Sequence, residues 1–222
     1  MMIANETKRQ RITTRSAAGV GAAAVWLAIV VLTNGCVNVS KEFAAKRYYA
    51  LDATRGETAP ANATGPVLAV RPFRASPRYE GNELVSRLSD VAYRSDFYSE
   101  FLVEPAALVT EQTRRWLADS GLFQCVVEGS GSAALTHVLE GAVTVIQGDY
   151  RDRAAPQAVL EAQFFLVEAA AASRIAFHKT YRRERPLADT TPDELVRGWN
   201  QALQETLTAL EEDLRQALSA AR

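Results

Sequence analysis

Two cysteines, two histidines and two methionines among 222 residues leave little material for metal or redox chemistry. Cys36 and Cys125 are too few for a disulfide framework, and neither has a His or Cys at ligand spacing. His137 and His178 each stand alone in an alternating apolar stretch, the setting of a structural histidine. Basic residues are not in excess: 25 face 26 acidic ones, a net charge of −1. The dense positive field of a nucleic-acid surface is therefore missing. Gly129-Ser130-Gly131-Ser132 leads into neither a Lys-Ser/Thr pair nor a helix start, so it is a turn and not a phosphate cradle. No serine has a nucleophile-elbow context, and the carboxylates are dispersed. These absences argue against an enzyme: no catalytic residue, no metal ligand and no cofactor is expected. The chain also lacks an uninterrupted apolar run of the roughly 20 residues that a spanning helix needs.

What it has instead begins at Lys8. Lys8, Arg9, Arg11 and Arg15 form a basic head, Ala17 to Leu32 carries no charge over 16 residues, and small Thr33-Asn34-Gly35 lead into Cys36. These are the three parts of an export signal. A cysteine directly after that exit resembles the lipobox of bacterial lipoproteins, with Thr33 where that motif usually carries Leu. The resemblance implies diacylglycerol on the Cys36 thiol, cleavage before it, and acylation (palmitate-like) of the new amine. The other reading is an uncleaved anchor helix held by its basic cytoplasmic end. Either one tethers the rest of the chain outside the cytoplasm. One acyl chain holds a protein only marginally, at about 0.8 kcal/mol per buried methylene, so a durable anchor takes two or three. Val37 stands where Asp would signal inner-membrane retention. The lipoprotein resemblance thus implies the periplasmic face of the outer membrane, with inner-membrane anchoring as the alternative. Residues 1–35 then form the signal peptide, 36–46 a lipidated tether and 47–222 one domain. Setting aside 1–35 leaves 187 residues with 21 basic and 25 acidic side chains, near −4. A domain of that size buries about 70% of its unfolded surface.

Along the domain, Arg47-Tyr48-Tyr49-Ala50-Leu51 predicts a strand and 54–66 a loop. Val67 to Phe73 predicts a strand that loses pairing at Pro72. Between Ser76 and Phe101, Tyr79, Tyr93, Phe97, Tyr98 and Phe101 alternate with charges of both signs. They are candidate partner contacts, against the plainer reading that they pack a sheet face. Leu84–Leu88 and Val91–Tyr93 predict short strands there. Pro105 opens a mid-chain helix whose stripe is Leu108, Val109, Gln112, Trp116 and Leu117, closed at Ser120-Gly121. Leu122–Glu128 returns as a strand, where Phe123, Val126 and Val127 predict a buried, inert Cys125 thiol.

His137–Gln147, Gln157–Glu168 and Arg174–Glu184 predict an antiparallel meander joined at 149–156 and 170–173. Polar residues on both faces near the start of the middle strand predict a solvated end there. Arg182, Arg183 and Arg185 end the last strand as a solvated rim or as a contact for anionic head groups or an acidic partner. Thr191-Pro192-Asp193-Glu194 is a capping box before a long helix. Its seam, Leu195, Trp199, Leu203, Leu207, Leu210, Leu214 and Leu218, lies along the sheet or is shared with another subunit. Glu211, Glu212, Asp213 and Arg215 read as its solvated face. The fold class is α+β, an α/β sandwich in which a largely antiparallel or mixed sheet carries both helices.

The order of these parts, with Arg47–Leu51, Val67–Phe73, Leu84–Arg87 and above all SDFYSEFLVEPAALVTEQTRRWLADSGLFQCVV from Ser95 to Val127, resembles the ABC-type transport auxiliary lipoproteins, the PqiC/YmbA-like family. Val138–Gly141 and Ala158–Glu161 are similar to its later strands, so the likeness spans 46–215. Leu102-Val103 stand where that family often has a Trp before Glu-Pro. The resemblance implies a periplasmic α/β domain on a lipid anchor. It would work beside an ATPase, a permease and an MCE-domain substrate-binding protein that move phospholipid-like molecules between membranes, and a homo-oligomer is consistent with that role. A carrier holding lipid in an apolar groove between helix and sheet is the competing reading.

Overall fold

A 13-residue strand, β7 (His137–Asp149), is the axis of the domain, and its two edges are used differently. The computed structural model describes residues 45–129, 135–169 and 174–220. The expected signal and the Cys36 tether lie outside the described residues. Residues 44–222 form one compact α+β unit. Along one edge β7 pairs antiparallel with β8 (Gln157–Glu168), which pairs antiparallel with β9 (Ile175–Pro186). This is the predicted meander; its second connection, 170–173, is outside the described residues.

The other edge of β7 is divided among three short parallel partners. β2 (Val67–Val70) takes residues 137–139, β3 (Arg74–Ala75) takes 142–143, and β4 (Glu83–Arg87) takes 148–149. The sheet therefore forks. One arm continues from β2 to β6 (Cys125–Glu128), the other from β4 to β5 (Tyr93–Phe101) and finally to β1 (Arg47–Tyr49). Pro72 lies in the break between β2 and β3, where its missing N–H costs no ladder bond.

Both helices bury their apolar stripes on one face of this sheet. α1 (Pro105–Ala118) turns Val109, Gln112, Trp116 and Leu117 inward. Gly121 then reverses the chain at φ 71°, and its Cα lies too close to Ala59 and the Pro60 carbonyl to admit a side chain. α2 (Pro192–Ala220) lies along β8 and β9, with Trp199, Leu203, Leu207, Leu210 and Leu214 fully buried. The seam predicted from the leucine spacing is thus spent inside the protein. Those side chains face Ala158, Leu160, Phe164 and Leu166, all equally buried, so no water-sized space remains beside them. The groove a lipid carrier needs between helix and sheet is filled.

Three local expectations need correction. The start of β8 is buried: Ala158, Val159 and Leu160 have no exposed surface, and Ala158 packs against Gly198 of α2. The capping box forms only in half: the Glu194 amide donates to the Thr191 hydroxyl at 3.3 Å, but the Thr191 amide is taken by Asp189, and the Glu194 carboxylate accepts from Ala188 instead. Cys125 is exposed, since β6 has a single partner strand and the thiol lies outside the core.

Helix and sheet lie close at Gly198, where an added Cβ would lie 2.7 Å from both Ala158 Cβ and Leu187 Cδ2. Gly198→Ala sets a helix-propensity gain of about 1 kcal/mol against overpacking of about 1–3 kcal/mol. Overpacking should win. Urea unfolding is expected to show a net loss; a stabilised variant would mean that the helix can lift without cost.

Candidate interaction surfaces

The five aromatic residues singled out between 76 and 101 separate by environment. Tyr79 closes a 3₁₀ turn (Pro77–Tyr79) aimed at β7; it is buried and donates its hydroxyl to Gln147 Oε1 at 2.5 Å. Phe101 packs on Trp199 with ring centroids 5.4 Å apart and is buried as well. Neither offers a surface to a partner: Tyr79 is covered against Gln147 of β7, and Phe101 against Trp199 of α2.

Tyr93 lies half-buried at the start of β5, with the Arg78 guanidinium 4.4 Å and the Arg87 guanidinium 5.9 Å from its ring centre. It sits at the base of the β4–β5 hairpin, whose tip exposes Leu88 and leaves Val91 90% exposed. The tip is held firmly. The Arg87 side chain donates to the carbonyls of Ser89 and Asp90, the Ser89 hydroxyl accepts from the amides of Val91 and Ala92, and Arg151 pairs with Asp90.

Phe97 and Tyr98 stand at the other end of β5 for a backbone reason. Glu83 pairs with Glu100 while Leu84 pairs with Asp96, so Phe97, Tyr98 and Ser99 are three extra residues on β5. This bulge is anchored by the Tyr98 amide, which donates to the Asp96 carboxylate at 2.9 Å, and by Ser99, which turns inward and is buried. Phe97 is left 66% exposed, edge-on to Tyr98 with centroids 5.3 Å apart. Tyr48 on β1 and Leu102 and Val103 after β5 are exposed beside it, Tyr48 pairing in register with Glu100 and the Leu102 amide donating to the Tyr49 carbonyl. Sequence reasoning did not mark Tyr48, Leu102 or Val103 as contact residues. The available signal was the apolar Leu102-Val103 pair placed directly before a helix-opening Glu-Pro.

The arginine rim is neutralised from within. Arg182 pairs with Glu161 and Glu184, Arg185 with Glu205 at 2.5 Å, and Arg183 with Glu205 at 3.8 Å. Three arginines thus meet three glutamates from β8, β9 and α2.

Buried polar groups converge at Glu211, which is not solvated as its sequence neighbourhood suggested. Its carboxylate accepts both Arg55 Nε and Nη2 at 3.0 Å, Trp116 Nε1 at 2.8 Å and Arg215 Nη2 at 2.7 Å. Burial pushes this carboxyl up, but the hydrogen bonds from Arg55 and Trp116 and the positive charge of Arg55 outweigh it and hold the group below the ordinary carboxylate range. An open cleft of about 670 Å³ lies over this network, lined also by Thr54, Glu57, Gln204 and Thr208. Every oxygen of Glu211 already has donors, so the arrangement clamps the 52–57 loop to both helices and holds no spare base. Nearby, Asp213 accepts from the Tyr181 hydroxyl and Lys179.

The histidines differ. Half-buried His137 is held below its usual pKa by burial, which the negative charge of Glu168 opposes. His178 is exposed and stacks on Phe165 with centroids 4.3 Å apart, its Nε2 2.9 Å from Gln163. Among the described residues no three His, Cys, Asp or Glu side chains are grouped to hold a metal, and no helix is long and apolar enough to cross a membrane.

No protein-family model and no curated protein matches the sequence. Solved structures do match. Protein XCC0632 from Xanthomonas campestris, described by the family model DUF330, superposes with a TM-score of 0.67 at 17% identity, over 77% of this chain and 96% of that one. A second, described as an uncharacterized protein, gives 0.61 at 17% identity over 77% and 99%. At such identity the likeness is one of architecture: over that share this chain has the fold of XCC0632.

Proposed function

We propose that this protein is a non-enzymatic, lipid-anchored auxiliary subunit of an MCE-type ABC transport system, holding its domain at the periplasmic face of the outer membrane. The observation that carries the reading is the division of side chains. Buried and half-buried charges such as Glu211 and Asp213 are paired inside the domain, whereas apolar side chains project from both ends of β5. A body of this kind works through its surfaces. The lipobox-like approach to Cys36 supports the anchor, and the fold shared with a DUF330 protein, the family of the PqiC/YmbA-like lipoproteins, supports the class. The partner meets the rigid β4–β5 tip around Leu88, Val91 and Tyr93.

A photo-crosslinking residue at Val91, activated in intact membranes, is expected to recover an MCE-domain protein. Capture of unrelated proteins alone would refute the assignment. Cys36→Ala should leave the domain folded but abolish acylation and release or misplace it. Wild-type maturation and fractionation of this variant would end the lipoprotein reading.

A further inference from the structure

We infer that the ridge formed by Tyr48, Phe97, Tyr98, Leu102 and Val103 rests on the bilayer that holds the anchor. This inference rests on the lipid-anchored reading above. The first argument is where the tether arrives. From Cys36 to Lys46 the chain can span at most about 35 Å, and Lys46, its last residue before β1, lies with its ammonium 4.4 Å above the Phe97 ring. The chain therefore enters the domain beside this ridge. β1 also pairs in parallel with the closing residues of β5, from Ser99 to Phe101. The far end of that strand carries the Leu88–Tyr93 tip, roughly 15–20 Å away along the strand.

Chemistry narrows the occupant. Tyr48, Tyr98 and Phe97 combine apolar rings with two phenolic hydroxyls, the composition found at head-group depth. Leu102 and Val103 add aliphatic surface. Lys46 pairs with Glu100 and Arg47 with Asp193, so the cations bordering the ridge carry their own counter-charges. The three-residue bulge makes the ridge protrude, a shape suited to a soft, deformable layer. Affinity need not be high. A short tether keeps the ridge near the surface at an effective concentration in the millimolar range, so a weak contact is occupied most of the time.

The test uses the full, lipidated chain reconstituted into phosphatidylcholine–phosphatidylethanolamine vesicles, with and without brominated phosphatidylcholine. Phe97→Trp and Val91→Trp place one indole at each end of β5; the domain's own Trp116 and Trp199 are buried and set the background. The indole introduced by Phe97→Trp is expected to lose at least half of its emission to the brominated lipid, and that introduced by Val91→Trp essentially none. Mass spectrometry of Cys36 is read on the same samples. Acylated Cys36 with no quenching at 97 overturns the ridge contact and leaves the anchor standing. An unmodified Cys36 takes both away. Shielding of the same indole from aqueous iodide without bromolipid quenching identifies a protein occupant, such as a second copy of this chain, and equally overturns the bilayer contact.

Discussion

Replacing Trp199 with alanine is expected to lower the unfolding free energy by about 3–5 kcal/mol, as deletion of a large buried aromatic does. Trp199 has no exposed surface, packs on Phe101 and donates its indole N–H to the carbonyls of Gln147 at 3.3 Å and Val159 at 3.2 Å. One side chain thereby joins α2 to β7, β8 and β5. Its removal leaves a cavity beneath Phe101 and takes away a donor shared by two buried carbonyls. In a domain of this size, each kcal/mol lowers the melting temperature by roughly 2–4 °C, so a drop on the order of 10 °C is expected by calorimetry. Trp199→Phe keeps most of the apolar volume but not the donor, and should cost about 1–3 kcal/mol. If the two variants were equally mild, the helix would be held mainly by its leucine seam. Because Phe101 closes β5, the alanine variant should also loosen the Phe97–Tyr98 bulge, and hydrogen exchange at 97–102 should accelerate along with the global loss.

The parts of this architecture that were legible in the sequence are those governed by local period. The leucine spacing of α2, the Pro105 start of α1 and the three long strands of the meander each follow from neighbours within a few residues. The β4–β5 region was only half legible. Tyr93 was expected to end a short strand and instead begins a nine-residue one, because the bulge at Phe97–Ser99 breaks the two-residue alternation that marks a strand. Burial of Tyr79 and exposure of Phe97 could not be separated by composition, since both lie among charges of either sign. The ion pairs of the arginine rim were not legible for a different reason: the glutamates come from β8 and α2 as well as from β9. Cys125 was misjudged because hydrophobic neighbours on a strand say nothing about whether that strand is an edge. Cys36 and its tether stay an expectation from motif and resemblance.

Glu211 is the clearest instance of information that sequence alone could not supply, and it carries the second large effect. It lies four residues after Leu207, on the flank of the apolar seam, and its partners Arg55 and Trp116 are 156 and 95 residues away in the chain. Glu211→Ala should cost about 2–4 kcal/mol, since it strands the Trp116 indole N–H and leaves the Arg55 guanidinium, itself mostly covered, without its bidentate acceptor. The loop should respond locally. The Asp52 amide bonds to Asn200 and the Ala53 amide to Gln112, and both bonds depend on Arg55 holding the segment down, so amide exchange at 52–57 should rise more than in the sheet. Acidity offers an independent reading. The folded protein holds the Glu211 carboxyl below the range of about 4.3 expected in the unfolded chain. Its contribution is therefore fully present above that value and fades as the pH falls toward the lower, folded one. Wild-type stability should decline between roughly pH 5 and 3 more steeply than that of Glu211→Gln, which cannot take up the proton. Parallel curves for the two proteins, or an alanine variant within 0.5 kcal/mol of wild type, would show that water replaces the clamp and that the loop is held by its backbone bonds alone.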